Sequence, residues 1–154
     1  MRIGITASTF DLLHAGHIEM LRDAKSQCDY LICALQIDPS IDRPSKNRPA
    51  QTIVERYTQL SAVSFVDEII PYLHERDLED ILQMRKINVR ILGEDYIGKR
   101  FTGDNLPPKI IYTSRAHGWS TTKLKNDITI QTLKDNPSVL KEHPELLKEI
   151  KKIK

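Results

Sequence analysis

The sequence has little cysteine: two residues, Cys28 and Cys33, in a chain of 154. They stand five positions apart, outside the C-x-x-C spacing of redox and zinc sites. A disulfide-stapled miniprotein is excluded, and two free thiols in a reducing compartment are expected. Charge of one sign is also lacking. The 23 Lys+Arg and 21 Asp+Glu leave a net charge of +2, which argues against a nucleic-acid binder that relies on a strongly basic surface. No apolar stretch approaches the roughly 20 residues of a membrane span. The first residues, Met1 to Thr6, start a strand pattern with no apolar signal core, so a cytoplasmic protein is expected. What is present is ordinary globular composition, 40% hydrophobic and 29% charged, with no internal repeat and no low-complexity linker. That suits one compact domain.

Strand-like and helix-like segments alternate. The periodicity predicts strands over 2–7, 29–37, 66–72, 88–92 and 108–113, with Pro71 ending the third. It predicts helices over 16–27, 51–63, 76–85 and 120–133. The segment 29–37 is apolar on both faces, as in a buried parallel strand. Proline-punctuated residues 39–49 and glycine-containing residues 93–106 read as loops. From Asn136 a final helix is expected, with Pro144 in its first turn and Leu146, Leu147, Ile150 and Ile153 along one face. The predicted fold is α/β, Rossmann-like and three-layered, with a five-stranded parallel sheet. Residues 1–134 would form the main domain and 135–154 a helical extension of it. Ligands of such sheets sit at the carboxyl ends of the strands, at the topological switch point.

The run Ser8-Thr9-Phe10-Asp11-Leu12-Leu13-His14-Ala15-Gly16-His17 joins the first strand to the first helix. Two histidines split by a glycine at a helix start converge on one small space. Gly16 permits close backbone approach. Free N–H groups at the helix start favour anions, and imidazole N–H groups add donors. The combination reads as a phosphate site. A second signal, Arg115-Ala116-His117-Gly118-Trp119-Ser120-Thr121-Thr122, follows the last strand. Ser120 or Thr121 can cap the next helix, and Arg115 can bind phosphate bidentately.

The first run resembles the G-x-F-D-x-x-H-x-G-H signature of the HxGH nucleotidyltransferases, with Ser8 where glycine is usual. The second is similar to the R-T-E-G-[IV]-S-T-[TS] segment of the cytidylyltransferases that act on glycerol 3-phosphate and related acceptors. Ala116, His117 and Trp119 depart from it. The resemblance covers roughly residues 2–130. It implies transfer of CMP from CTP to a small phosphorylated acceptor such as glycerol 3-phosphate, with release of pyrophosphate. His14, His17, Lys46 and Arg115 would be catalytic. Ser8, Thr9, Phe10, Gly93, Gly118, Ser120, Thr121 and Thr122, with His14, His17 and Arg115, would bind the nucleotide. Asp11, Asp38, Arg56 and Asp95 would meet the acceptor. Mg²⁺ would accompany CTP without a dedicated protein cage, Asp11 being the candidate contact. A homodimer is implied; from the composition, no nucleic-acid partner and no membrane span are expected. Two alternatives stay open: an adenylyltransferase of the same fold, of the heptose phosphate or flavin mononucleotide type, and a non-catalytic nucleotide-binding module.

Overall fold

The computed structural model describes residues 1–153; of Glu149 and Ile153 only the backbone is described, so the expected apolar contact of Ile153 lies outside the described residues. Five strands occur: β1 (Ile3–Ser8), β2 (Tyr30–Gln36), β3 (Glu68–Tyr72), β4 (Val89–Gly93) and β5 (Lys109–Thr113). Between them lie α1 (Ala15–Ser26), α2 (Ile53–Ser61), α3 (Glu75–Met84) and a 3-10 helix at Glu94–Tyr96. After β5 come α4 (Thr121–Asp135), α5 (Pro137–Glu142) and α6 (Leu146–Ile153).

All strands pair in parallel, in the order β3-β2-β1-β4-β5. Side chains alternate across the sheet, so β2 feeds two cores. Leu31, Cys33 and Leu35 pack with Leu21 and Ala24 of α1 and Leu60 of α2. Ile32 and Ala34 pack on the opposite face with Ile5, Tyr72 and Leu78 and Leu82 of α3. Two helices on one face and one on the other make the three layers. The chain winds from β1 through β2 to the β3 edge, then crosses back to place β4 on the far side of β1. The switch point therefore lies between β1 and β4. Their register spans only Gly4↔Val89 and Ile5↔Arg90, although β1 runs on to Ser8 and β4 to Gly93. The strands separate beyond that, which opens a crevice at their carboxyl ends.

Pro71 does not end β3; it pairs with Leu35 inside the strand. β3 is an edge strand, where a residue without an N–H is tolerated. α2 starts with a reciprocal cap, Thr52 Oγ1 accepting from Glu55 N–H and Glu55 Oε2 from Thr52 N–H. The tail holds two helices where one was expected. Pro137, and not Pro144, stands in a first helical turn, and α6 begins two residues after Pro144. The chain divides into two compact units, Met1–Gly118 and Trp119–Lys154. The expected division at 134/135 falls in the last turn of α4. In the second unit, Ser120 Oγ accepts from Lys123 N–H at 3.1 Å and starts α4. No helix among the described residues is long and apolar enough to cross a membrane.

Candidate active site

The loop from β1 to α1 is held in an unusual backbone conformation. Phe10 has φ 48° and Leu12 φ 49°, the left-handed region that non-glycine residues rarely occupy. Each such residue costs on the order of 1–3 kcal/mol, so its surroundings must hold it there. Phe10 is 0% exposed and sits in the α1/α2 core. Leu12 N–H donates to Gln51 Oε1 at 2.8 Å. Asp11, also buried, accepts from Ala50 N–H at 2.9 Å and Gln51 N–H at 3.0 Å.

Arg56 completes this clamp. It is 2% exposed, and its Nη1 donates to Thr9 O and Gln36 O at 2.8 and 2.7 Å. Its Nη2 donates to Ile37 O at 2.7 Å and its Nε to Gln51 O at 3.2 Å. One guanidinium thus ties together the ends of β1 and β2 and the start of α2. Arg56 was expected to meet the acceptor's phosphate. Its donors instead face main-chain carbonyls in the interior, because a five-donor fork can satisfy several at once. Asp11 is likewise engaged by backbone. Both are positioning residues in this structure.

His14 and His17 sit on the arc so formed. His14 is the N-cap of α1, and its Nδ1 accepts from Gly16 N–H at 3.0 Å. His17 Nδ1 accepts from His14 N–H at 3.3 Å. An accepting Nδ1 leaves the ring proton on Nε2. The two ring centroids are 4.0 Å apart, and Phe10 packs 5.6 Å from His17. Burial pushes the His17 imidazole down to about 3, with help from neighbouring His14 and Arg115. His14 is also lowered, by burial first and then by His117 and Arg115. Both rings are neutral at physiological pH and offer Nε2–H donors.

The opposite wall comes from β4 and β5. Arg115 Nη1 lies 3.1 Å from Asp95 Oδ1, and Arg115 N–H donates to Glu94 Oε1 at 2.6 Å. Gly93 leaves room for this turn, since a methyl group there would lie 2.4 Å from Asp95 Oδ1. Gly118, with φ +70°, closes the 115–118 turn by donating its N–H to Arg115 O at 3.1 Å. His117, which was not among the expected site residues, reaches back to α1. A methyl group on Gly16 would meet both His14 Cε1 at 2.9 Å and His117 Cε1 at 3.1 Å. The signal for it was its departure from the resembled segment.

The first unit therefore brings together Ser8 to Asp11, His14, Gly16, His17, Gly93, Asp95, Arg115 and His117 at the switch point. Asp38 closes the start of the 39–49 loop, accepting from Ser40 Oγ at 2.6 Å and pairing with Arg48 Nε at 3.2 Å. The Ser40 hydroxyl is the largest cause of its lowered pKa. Lys46 is exposed on the same loop. Ser120, Thr121 and Thr122 belong to the second unit. Among the described residues no group of three or more His, Cys, Asp or Glu side chains could hold a metal ion.

The family model described as cytidylyltransferase-like matches residues 5–127. Glycerol-3-phosphate cytidylyltransferase of Bacillus subtilis is 36% identical over 130 residues, covering 83% of this chain and 98% of that protein. Bifunctional protein HldE of Paramagnetospirillum magneticum is 33% identical over 126 residues, covering 79% of this chain and 26% of that protein. Among solved structures, the lipopolysaccharide core biosynthesis protein from Thermoplasma volcanium superposes with a TM-score of 0.62 at 26% identity, over 74% of this chain and 97% of that one.

Proposed function

We propose that this chain, which belongs to the cytidylyltransferase-like family, transfers CMP from CTP to a small phosphorylated acceptor of the glycerol 3-phosphate type. It is a nucleotidyltransferase. In the reaction an acceptor phosphate oxygen attacks the α-phosphorus in line. The bond from that phosphorus to the bridging oxygen breaks, and pyrophosphate leaves with the electron pair. The nucleophile is already an anion, so catalysis rests on positioning and on stabilising charge.

The observation that carries the reading is the pair of neutral imidazoles at the start of α1, each with Nδ1 fixed by backbone, facing Arg115 across the switch point. His14 and His17 would donate Nε2–H to the phosphates and to charge developing on the α-phosphate. Arg115 would exchange Asp95 for phosphate oxygens, and Lys46 would add a point charge from its loop. Thr9 would supply a further donor. Mg²⁺ would neutralise phosphate oxygens. Such an ion would be held mainly by phosphates and water, as Mg²⁺ prefers. A second copy of the chain is part of this reading, to be checked by light scattering. ATP in place of CTP is the second reading, favoured by Ala116 and His117 where cytidylyltransferases carry threonine and glutamate.

The test is pyrophosphate release with CTP and with ATP against a panel of phosphorylated polyols, sugars and alcohols. CTP-dependent release with glycerol 3-phosphate is the expected result. ATP-only turnover overturns the first reading in favour of the second, and no turnover with either nucleotide overturns both.

A further inference from the structure

The 115–118 turn points an imidazole, not a carboxylate, at the first turn of α1. Ala116 N–H donates to Ser114 Oγ at 3.1 Å and Gly118 N–H to Arg115 O at 3.1 Å, so the turn is tied at both sides of His117. Its ring reaches the same point above Gly16 as the ring of His14. His14 registers the charge of both His117 and Arg115. The acidic groups around this point have other partners: Asp11 holds Ala50 and Gln51, Glu94 holds the Arg115 N–H, and Asp95 holds the Arg115 guanidinium. The cluster is therefore rich in donors. It also lacks metal-holding geometry among the described residues, which sets aside a three-histidine metal site.

We propose that His117 is a third phosphate-binding imidazole, which donates with His14 to the polyphosphate chain of the nucleotide above Gly16. A carboxylate at 117 can only accept hydrogen bonds and repels phosphate; an imidazole donates one, and when protonated it adds a positive charge. This chain thus gains at 117 a contact to the leaving pyrophosphate. The inference rests on the nucleotidyl-transfer reading, and the experiment separates the two.

Binding of inorganic pyrophosphate with Mg²⁺ is measured by calorimetry for the wild type, His117→Ala and His117→Leu. Leucine keeps the bulk over Gly16 without a donor. Steady-state KM values for nucleotide and acceptor are measured in parallel. The expected result is a loss of about tenfold or more in pyrophosphate affinity in both variants, the usual effect of losing a hydrogen bond to a charged group. Nucleotide KM should rise alike, while acceptor KM stays within about twofold. Wild-type pyrophosphate affinity in either folded variant overturns the proposal. So does a parallel rise in acceptor KM, which would mark a collapsed loop and not a lost contact. A wild type that binds neither pyrophosphate, CTP nor ATP overturns the nucleotidyl-transfer reading itself.

Discussion

His14 holds the tautomer of His17: the N–H of His14 donates to His17 Nδ1 at 3.3 Å, while the His14 ring caps α1 by accepting from Gly16 N–H at 3.0 Å. The two imidazoles form a reciprocal cap in which side chains normally reserved for serine and glutamate are replaced by rings. The helix start is stabilised and two Nε2–H donors are oriented by the same bonds. His17→Ala should therefore lower kcat by about 10²–10³, the effect of losing a preorganised donor to developing charge, while the protein stays folded. Near-wild-type turnover in a folded variant would refute the role.

The same burial makes stability depend on pH. An unfolded His17 titrates near 6.5, whereas the folded one holds its neutral form down to about 3. Between those values the unfolded chain binds the extra proton, so stability is fully present above about pH 6.5 and falls as the pH drops toward 3. At pH 5 the loss is on the order of 2 kcal/mol. Thermal melts of wild type and His17→Gln from pH 7.5 to 4.5 should show the wild type losing more. Parallel curves would exclude the coupling.

Arg56 has a structural prediction of its own. Removing it leaves the carbonyls of Thr9, Gln36, Ile37 and Gln51 without this donor. Arg56→Ala should cost about 3–5 kcal/mol in urea denaturation, the range for breaking a buried charged network. Arg56→Lys should recover only part, because an ammonium lacks the planar fork. A loss below about 1 kcal/mol would show that the carbonyls find other partners.

Gly16→Ala separates stability from function. Alanine is the better helix former by about 1 kcal/mol, yet its methyl would lie 2.9 Å from the His14 ring. The ring must shift. The expected outcome is a nearly unchanged melting temperature, because the alanine gain and the weakened His14 cap oppose each other, with kcat/KM lower by about tenfold or more. Full activity would mean that the His14 ring has slack.

Much of this was legible in the residues because local patterns are short-range. The period-2 and period-3.6 spacing of apolar residues placed all five strands and the first three helices within a few residues. The Ser8–His17 run marked the candidate site because a strand, a glycine and a helix start are adjacent in sequence. Errors arose where local rules met context. Pro71 reads as a strand terminator until β3 is known to be an edge. Pro144 and Pro137 are equivalent helix starters locally, and only the fold of the tail chooses between them.

By itself, then, the sequence determined the α/β class, the alternation of elements and the positions of His14, His17 and Arg115. Tertiary structure alone decided the strand order that opens the crevice between β1 and β4. It also turned Arg56 from an expected acceptor contact into the tie between the ends of β1 and β2 and the start of α2, and brought His117 to Gly16, about a hundred residues away in the chain. The reason is physical: periodicity reports which face of an element is buried, but pairing partners and buried polar ties depend on residues distant in sequence, whose contacts leave no local pattern.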